Sequence, residues 1–518
     1  MSWRKEGNPQ QMIQKRKEEI TTLRSRKREQ ILQEKRDKMI ENSIKHEDDI
    51  PLSTSEIVKN IEIHVQKKQE FLKMIQIGYQ ARNEEMLYQS IQTVSIYMIN
   101  NKHSVFAFIF ELIPSIFSCV PEFLKNEFIN QIKTQNYRLF NVISDIFELV
   151  ASSSEKEIIE KLVQFKGNGM TIVDMTLILL KMDEKTIAST LLGIGHLIRF
   201  PKITTIFLEK QLLEYIAQLI QIYKDGHEIF SNSSYIFSQI CCGIKALNPH
   251  FIKSFSLISI FMKTTNSEDL KGLLNSLSTL FKIPQYVSYL ETLKIEQNAM
   301  IICKRSADMS LINAAITYLC NFVSASNTTT CYFEIFEIVS TLLPSQSLQK
   351  LTKKKCLLML SNMLLSESPI LQRKYIENKI FEQVSYIILD INETQIIKDE
   401  ASWVLVNGMT NYRDKMCFCS YTICKAIVEM MKTENVGLLH PVLCSIGHFI
   451  QWTNETYQDE VVSALIENGL IRNLITIQSQ LFVVENEAVQ KVIEAIFRIL
   501  PHDENENNVN DFQDEIIG

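Results

Sequence analysis

Glu400, Trp403 and Asn407 lie three and four residues apart in Lys398-Asp-Glu-Ala-Ser-Trp-Val-Leu-Val-Asn-Gly408. On a helix that spacing puts all three on one face, about one turn from each other. Their chemistry suits an extended basic peptide. A carboxamide can hold a peptide N–H and C=O together. An indole can take the aliphatic stem of a Lys or Arg and attract its charge. A carboxylate can pair with that charge. Without further support, the same residues fit a core Trp and a surface Asn on an ordinary helix.

The element that must carry them is an amphipathic helix, expected to stop at Gly408. Helices of this kind fill the chain. Among 518 residues there are only 14 Gly and 11 Pro, and Leu, Ile, Lys, Glu and Ser recur at helical spacing, which predicts an all-α fold. Such a length suits several domains or one long solenoid. The 11 cysteines show no repeated spacing, and no histidine stands near Cys241-Cys242 or Cys417-Phe418-Cys419 at zinc-ligand distance. They read as reduced and mostly buried thiols, and no metal or cofactor is expected. The polar, basic start of the chain does not read as a signal peptide. The most apolar run, Val105 to Val120, is broken by Glu111 and Pro114 and reads as a buried helix rather than a membrane span.

Internal repetition organises the body. Leu192-Gly-Ile-Gly-His-Leu-Ile198 matches Cys444-Ser-Ile-Gly-His-Phe-Ile450, and Ala315–Val323 matches Cys356–Leu364. With Asn407 as a marker, equivalent positions fall at Glu148, His196, Gln239, Thr279, Asn321, Asn362, Asn407 and His448, at intervals of 48, 43, 40, 42, 41, 45 and 41. One more unit fits around Met86–Asn101 and another around Glu487–Leu500. Armadillo and HEAT arrays repeat every ~40–47 residues. Stacked units of this kind form an extended concave surface, on which the marker helices would present a ladder of side chains.

Charge divides the chain. Through residue 38 there are twelve Lys/Arg against six acids, a net +6, while the remainder carries 42 bases and 54 acids, a net −12. The bases cluster as Lys15-Arg16-Lys17, Arg24, Arg26-Lys27-Arg28 and Lys35-Arg36. Only Ile20, Leu23, Ile31 and Leu32 interrupt them, so this helix-favouring arm cannot build a core alone. It suits an acidic partner or the acidic body itself. Direct nucleic-acid binding is not expected, because the body would repel phosphate.

Arm, linker and ladder together resemble the importin alpha (karyopherin alpha) family of nuclear import adaptors over nearly the whole chain. The arm is similar to that family's importin-beta-binding segment in Lys15-Arg16-Lys17-Glu18-Glu19, Leu23-Arg24, Lys27-Arg28-Glu29, Leu32 and Lys35-Arg36. The Lys398–Asn407 helix is similar to the groove helix of its eighth repeat, and Glu485–Leu500 resembles its last repeat. The resemblance implies a right-handed superhelical solenoid of about ten armadillo repeats with an N-terminal basic helical arm. It implies importin beta and Lys/Arg-rich cargo peptides as partners, an export receptor at the C-terminal repeats, and shuttling between cytoplasm and nucleus. Arg26-Lys27-Arg28 would mimic cargo when the arm is free.

The family carries Trp four residues before an Asn marker in several repeats. Here those pairs are Ser144/Glu148, Leu192/His196 and Tyr235/Gln239 early in the ladder, with Phe200 where an acid is expected. Later, Asn321, Asn362, Glu400, Trp403 and Asn407 remain, and Leu358 replaces one Trp. The expectation is a divergent adaptor that holds cargo mainly through its later repeats, by Trp403, Asn407, Glu400, Asn362 and Asn321, with Tyr235 and Gln239 as substitutes further up. Tyr235 fits core and groove alike. Trp452 reads as packing, and His196 and His448 as groove-lining polar residues. The expected divisions are an arm to residue 45, an acidic linker and first helix to 70, the solenoid to 500, and an acidic, disordered tail to 518. No phosphate loop, His-Glu-x-x-His or nucleophile elbow is present, so an enzyme is not expected. An armadillo scaffold without import cargo is the competing reading.

Overall fold

The computed structural model describes residues 54–81, 83–100, 116, 138–152, 156–164, 166–167, 170–326, 328–345, 348–366, 368–412, 415–456, 458–480 and 486–500. The chain divides into two compact units, Met1–Ile63 and His64–Gly518. The basic arm, nearly all of the Val105–Val120 run and the acidic tail lie outside the described residues.

Helices make up nearly all of the described part of the second unit. Ten of them, in chain order, are Glu84–Asn100, Arg138–Ala151, Glu184–Leu197, Glu228–Gly243, Ser267–Leu280, Met309–Ala325, Lys350–Met363, Gln395–Asn411, Val436–Glu455 and Glu487–Ile499. Each packs side by side on the next, in a single unbroken row. Every marker named above falls on one of these ladder helices. Between successive ladder helices run shorter ones, commonly two, as in Pro284–Thr292 and Ile295–Arg305, or Pro369–Glu377 and Ile380–Leu389. Short helices also touch one another from repeat to repeat, Ile295–Arg305 on Tyr332–Leu342, Ile380–Leu389 on Tyr421–Glu429 and that on Asp459–Glu467. Two parallel rows of helices built from three-helix units are an all-α solenoid of the armadillo kind.

Local chemistry repeats with the fold. Pro201, Pro249, Pro284 and Pro369 each occupy the first turn of the short helix that follows a ladder helix. There the missing N–H loses nothing and the fixed φ favours the helix. The corner between the two short helices turns through a left-handed residue at the same place in four repeats: Gln211 (φ 62°), Lys294 (52°), Lys379 (51°) and Gly469 (93°). Only the last has the residue type that adopts this region freely. A sequence pattern of glycines could therefore not have revealed the corner.

Two expectations need correction. The Gln395–Asn411 helix does not stop at Gly408 but runs through it. Gly408 is there because a Cβ would come within 2.7 Å of Phe381 and 2.9 Å of Phe418. The helix ends instead where the buried Lys415 donates to the Met409 and Tyr412 carbonyls. Lys166–Gly167 pairs antiparallel with Met170–Thr171. Of the ten described cysteines, all free, five are buried, four half-buried and Cys242 exposed, fewer buried than expected.

Close approach between ladder helices is the recurring demand. A Cβ on Gly193 would sit 2.4 Å from the Phe147 ring of the preceding ladder helix, whereas Gly272 faces open space. Both are helical, so both should gain about 1 kcal/mol in helix propensity on replacement by Ala. Overpacking at Gly193 costs about 1–3 kcal/mol and outweighs that gain. Chemical denaturation should therefore show Gly272→Ala stabilised by up to about 1 kcal/mol and Gly193→Ala destabilised.

Candidate functional site

The ladder helices from Arg138–Ala151 to Lys350–Met363 are mostly buried, and each leaves one stripe partly open. On Arg138–Ala151 the stripe holds Asn141, Asp145 and Glu148; on Glu184–Leu197, Ser189, Leu192 and His196; on Glu228–Gly243, Ser231, Tyr235 and Gln239. It continues through Asn275 and Thr279, then Asn313, Thr317 and Asn321, then Lys354, Leu358 and Asn362. The stripe positions recur at −8 or −7, −4 or −3, and 0 relative to each marker, which is the period of a single helix face. Most ladder side chains named from sequence thus share one partly open stripe, with Trp403 and Asn407 buried on their helix and a further exception at Ser144. That residue is buried and donates to the Asn141 carbonyl, so Asp145 takes its place.

The markers have a structural duty that sequence did not reveal. Asn321 Nδ2 donates to the Ser278 carbonyl at 2.9 Å. Asn407 Nδ2 donates to the Ser361 carbonyl at 2.9 Å and to Ser361 Oγ at 2.8 Å. Asn362 Nδ2 reaches Ser324 Oγ at 2.8 Å, and Thr279 Oγ1 reaches the Cys241 carbonyl at 3.1 Å. Each bond ties one ladder helix to its predecessor near the C-terminal end, where helical carbonyls lack partners of their own. Asn407 is only 4% exposed and Trp403 9%, so both are more deeply set than a fully open platform. Glu400, on the same face, is partly buried and forms an ion pair with Lys354 of the neighbouring ladder helix at 3.6 Å.

Lys354 belongs to a run the sequence reading passed over. Lys353 pairs with Glu393 at 2.6 Å, Lys354 with Glu400, and Lys355 donates to Thr317 Oγ1. Three consecutive lysines thus bind one ladder helix to features on both sides of it. Burial works to raise the Glu393 carboxyl, but the hydrogen bonds from Lys353 and Thr394 and the Lys353 charge outweigh it and hold it below its ordinary value.

The early end differs. Burial raises the Glu148 carboxyl above its ordinary value, and the charges of Asp145 and Glu228 add to the effect against a hydrogen bond from Ser189. Burial, with Arg199 nearby, lowers the His196 imidazole and favours its neutral form; its Nδ1 is buried without a hydrogen-bond partner. Tyr235 lies against Gly195, where a Cβ would come 2.6 Å from its ring. The glycine makes room for a half-exposed aromatic, and a Gly in the −1 place before a His marker is the signal that could have found it. Gln239 is half-buried on the same stripe.

Comparison with known structures fits this geometry. An engineered protein solved by the Northeast Structural Genomics Consortium superposes with a TM-score of 0.63 at 12% identity, covering 84% of this chain and 98% of its own. The chain is a helical repeat solenoid. Two designed armadillo repeat proteins, one in complex with a (KR)4 peptide, align over 48% of this chain and 99% of their own, at 15% identity and a TM-score of 0.39. No family model and no curated protein matches the sequence. Among the described residues no group of three His, Cys, Asp or Glu side chains could hold a metal ion, and no helix is long and apolar enough to cross a membrane. Trp452 stacks on Phe449 at 6.2 Å, consistent with packing.

A pH dependence follows from the solenoid's early end. Glu148 has a folded-state pKa above its unfolded value, so its contribution is favourable below the ordinary carboxyl range and is lost as pH rises through the folded value. At pH 7 its charge therefore opposes folding. Glu148→Gln should stabilise the protein at pH 7, by less than about 1 kcal/mol because the site is half solvated. Denaturation midpoints measured at pH 7 and pH 4 should show that gain disappearing at the lower pH.

Proposed function

We propose that this chain is a protein-transport adaptor of the importin alpha type, which binds Lys/Arg-rich nuclear localisation peptides along the ladder face and importin beta through its basic arm. The observation that carries the reading is the unbroken row of ladder helices with a partly open polar stripe running from Glu148 to Asn362, and with Glu400 partly open beside the deeply set Trp403 and Asn407. An extended peptide matches such a row because both repeat in one direction. With the Asn407 and Asn321 amide groups donating within the chain, their carboxamide oxygens are the atoms left to meet a peptide N–H. The edge of Trp403, and Tyr235 over Gly195, supply the apolar contacts for Lys and Arg stems. Lys15, Arg16, Lys17, Arg24, Arg26, Lys27, Arg28, Lys35 and Arg36 are the arm residues that would engage importin beta, and shuttling between cytoplasm and nucleus follows from that role.

A protein-interaction scaffold without import cargo is the second reading, since the repeat surface alone calls for some protein partner. Purified importin beta separates the two. The full-length protein is expected to capture it, and a chain lacking residues 1–45 is expected to lose it. An alternating Lys-Arg octapeptide, followed by fluorescence anisotropy, should bind the full chain and be weakened about tenfold or more by Tyr235→Ala or Trp403→Phe if these are aromatic anchors. Failure to capture importin beta with the full chain leaves the scaffold as the better account.

A further inference from the structure

Lys354 lies eight residues before its marker Asn362, and Glu400 lies seven before Asn407. The two side chains therefore meet at one level of the ladder, across adjacent helices. Their contact is loose, 3.6 Å between Nζ and Oε1, with 33% of the lysine side chain and 15% of the glutamate exposed. The other Glu400 oxygen, Oε2, is buried and has no hydrogen-bond partner. A charge-assisted N–H···O bond closes to about 2.7–2.9 Å. The present pairing thus leaves most of what this carboxylate can give unused. Lys271, at the corresponding level of an earlier ladder helix, instead pairs with Glu268 on its own helix. The reach of Lys354 across to its neighbour is a property of this step of the ladder.

We infer that Lys354 is an internal competitor, holding at Glu400 the place of a basic side chain of the bound peptide. The inference rests on the peptide-binding reading proposed above and adds a specificity device to it. A peptide lysine offers Glu400 no more than Lys354 already does. A planar guanidinium brings a rigid fork of donors to the accessible Oε1, where an ammonium brings a single point charge. Glu400 then selects Arg over Lys at this level, because only Arg gains enough to displace the resident ammonium. The stem of Lys354 runs into the same stripe as Leu358 and Asn362, so a displaced Lys354 has solvent to move into rather than core.

The test is the affinity of two octapeptides, alternating Lys-Arg and all-Lys, for the full chain at low salt. Wild type is compared with Lys354→Gln, Lys354→Arg, Glu400→Gln and the Lys354→Gln/Glu400→Gln double variant. Lys354→Gln is expected to tighten the all-Lys peptide about two- to fivefold, the range an exposed ion pair allows. It should tighten the Lys-Arg peptide less. Lys354→Arg should not tighten either peptide. Glu400→Gln should weaken both, and the double variant should bind like Glu400→Gln alone. Unchanged binding in Lys354→Gln, with Glu400→Gln still weakening the peptide, overturns the competitor and leaves the binding face intact. Glu400→Gln without effect, while Tyr235→Ala weakens binding, moves the site away from Glu400 and also overturns it. If neither wild type nor any variant binds either peptide, the peptide-binding reading falls together with the competitor.

Discussion

Side-by-side stacking of ladder helices is the constraint on which the rest of this structure depends. Each must bury three sides against its neighbours, and the tightest approaches decide which residues are tolerated. Gly193 admits the Phe147 ring, Gly195 admits Tyr235, and Gly408 is wedged between Phe381 and Phe418. Polar staples complete the contact: Asn321 to the Ser278 carbonyl and Asn407 to Ser361. A repeat of this kind touches mainly its neighbours, so stability accumulates from one interface to the next. The open stripe is what remains of each helix once those interfaces are satisfied.

The same residues therefore serve two masters. A marker amide that ties one helix to the next has one end fixed, which removes most of its rotamer freedom. Fixing it in advance lowers the entropy lost when a ligand arrives, the usual advantage of preorganisation. It also narrows what the amide can recognise, because its donor side is already engaged within the chain. Where the marker is not an amide, the tie is made differently or not at all. Thr279 uses its hydroxyl on the Cys241 carbonyl, while His196 keeps a buried nitrogen without a partner.

How much of this was legible in the sequence depended on the length scale. The ladder was legible: a marker drawn through Glu148, His196, Gln239 and Asn407 landed on stacked helices, because one buried stripe per 40-odd residues imposes its period on composition. Helix ends were less so. Gly408 reads as a stop by local preference, yet tertiary contact with Phe381 and Phe418 keeps it in mid-helix. The left-handed corners at Gln211, Lys294 and Lys379 carry no sequence signal of their own, and only Gly469 announces one. Of the site, the face shared by Glu400, Trp403 and Asn407 followed from spacing alone. The depth of Trp403 and the Lys354 contact did not, since both are set by the neighbouring helix, which no pattern within one repeat can specify.

Charge then redistributes the roles of the two ends of the ladder. Judged by residue type, the early repeats lack the indole and amide pair that Trp403 and Asn407 form late in the ladder. Judged by electrostatics, the order reverses. Late in the ladder Glu393 and Glu400 already face Lys353 and Lys354. Early in the ladder burial raises the Glu148 carboxyl, and the nearby charges of Asp145 and Glu228 add to the effect. Lys185 stands 3.6 Å from Asp145, largely in solvent, where a pairing is worth little. On the peptide-binding reading proposed above, the early repeats would offer a basic chain acidic charge and the later ones an aromatic and an amide, and a chain meeting both would have to span the steps between Glu148 and Glu400.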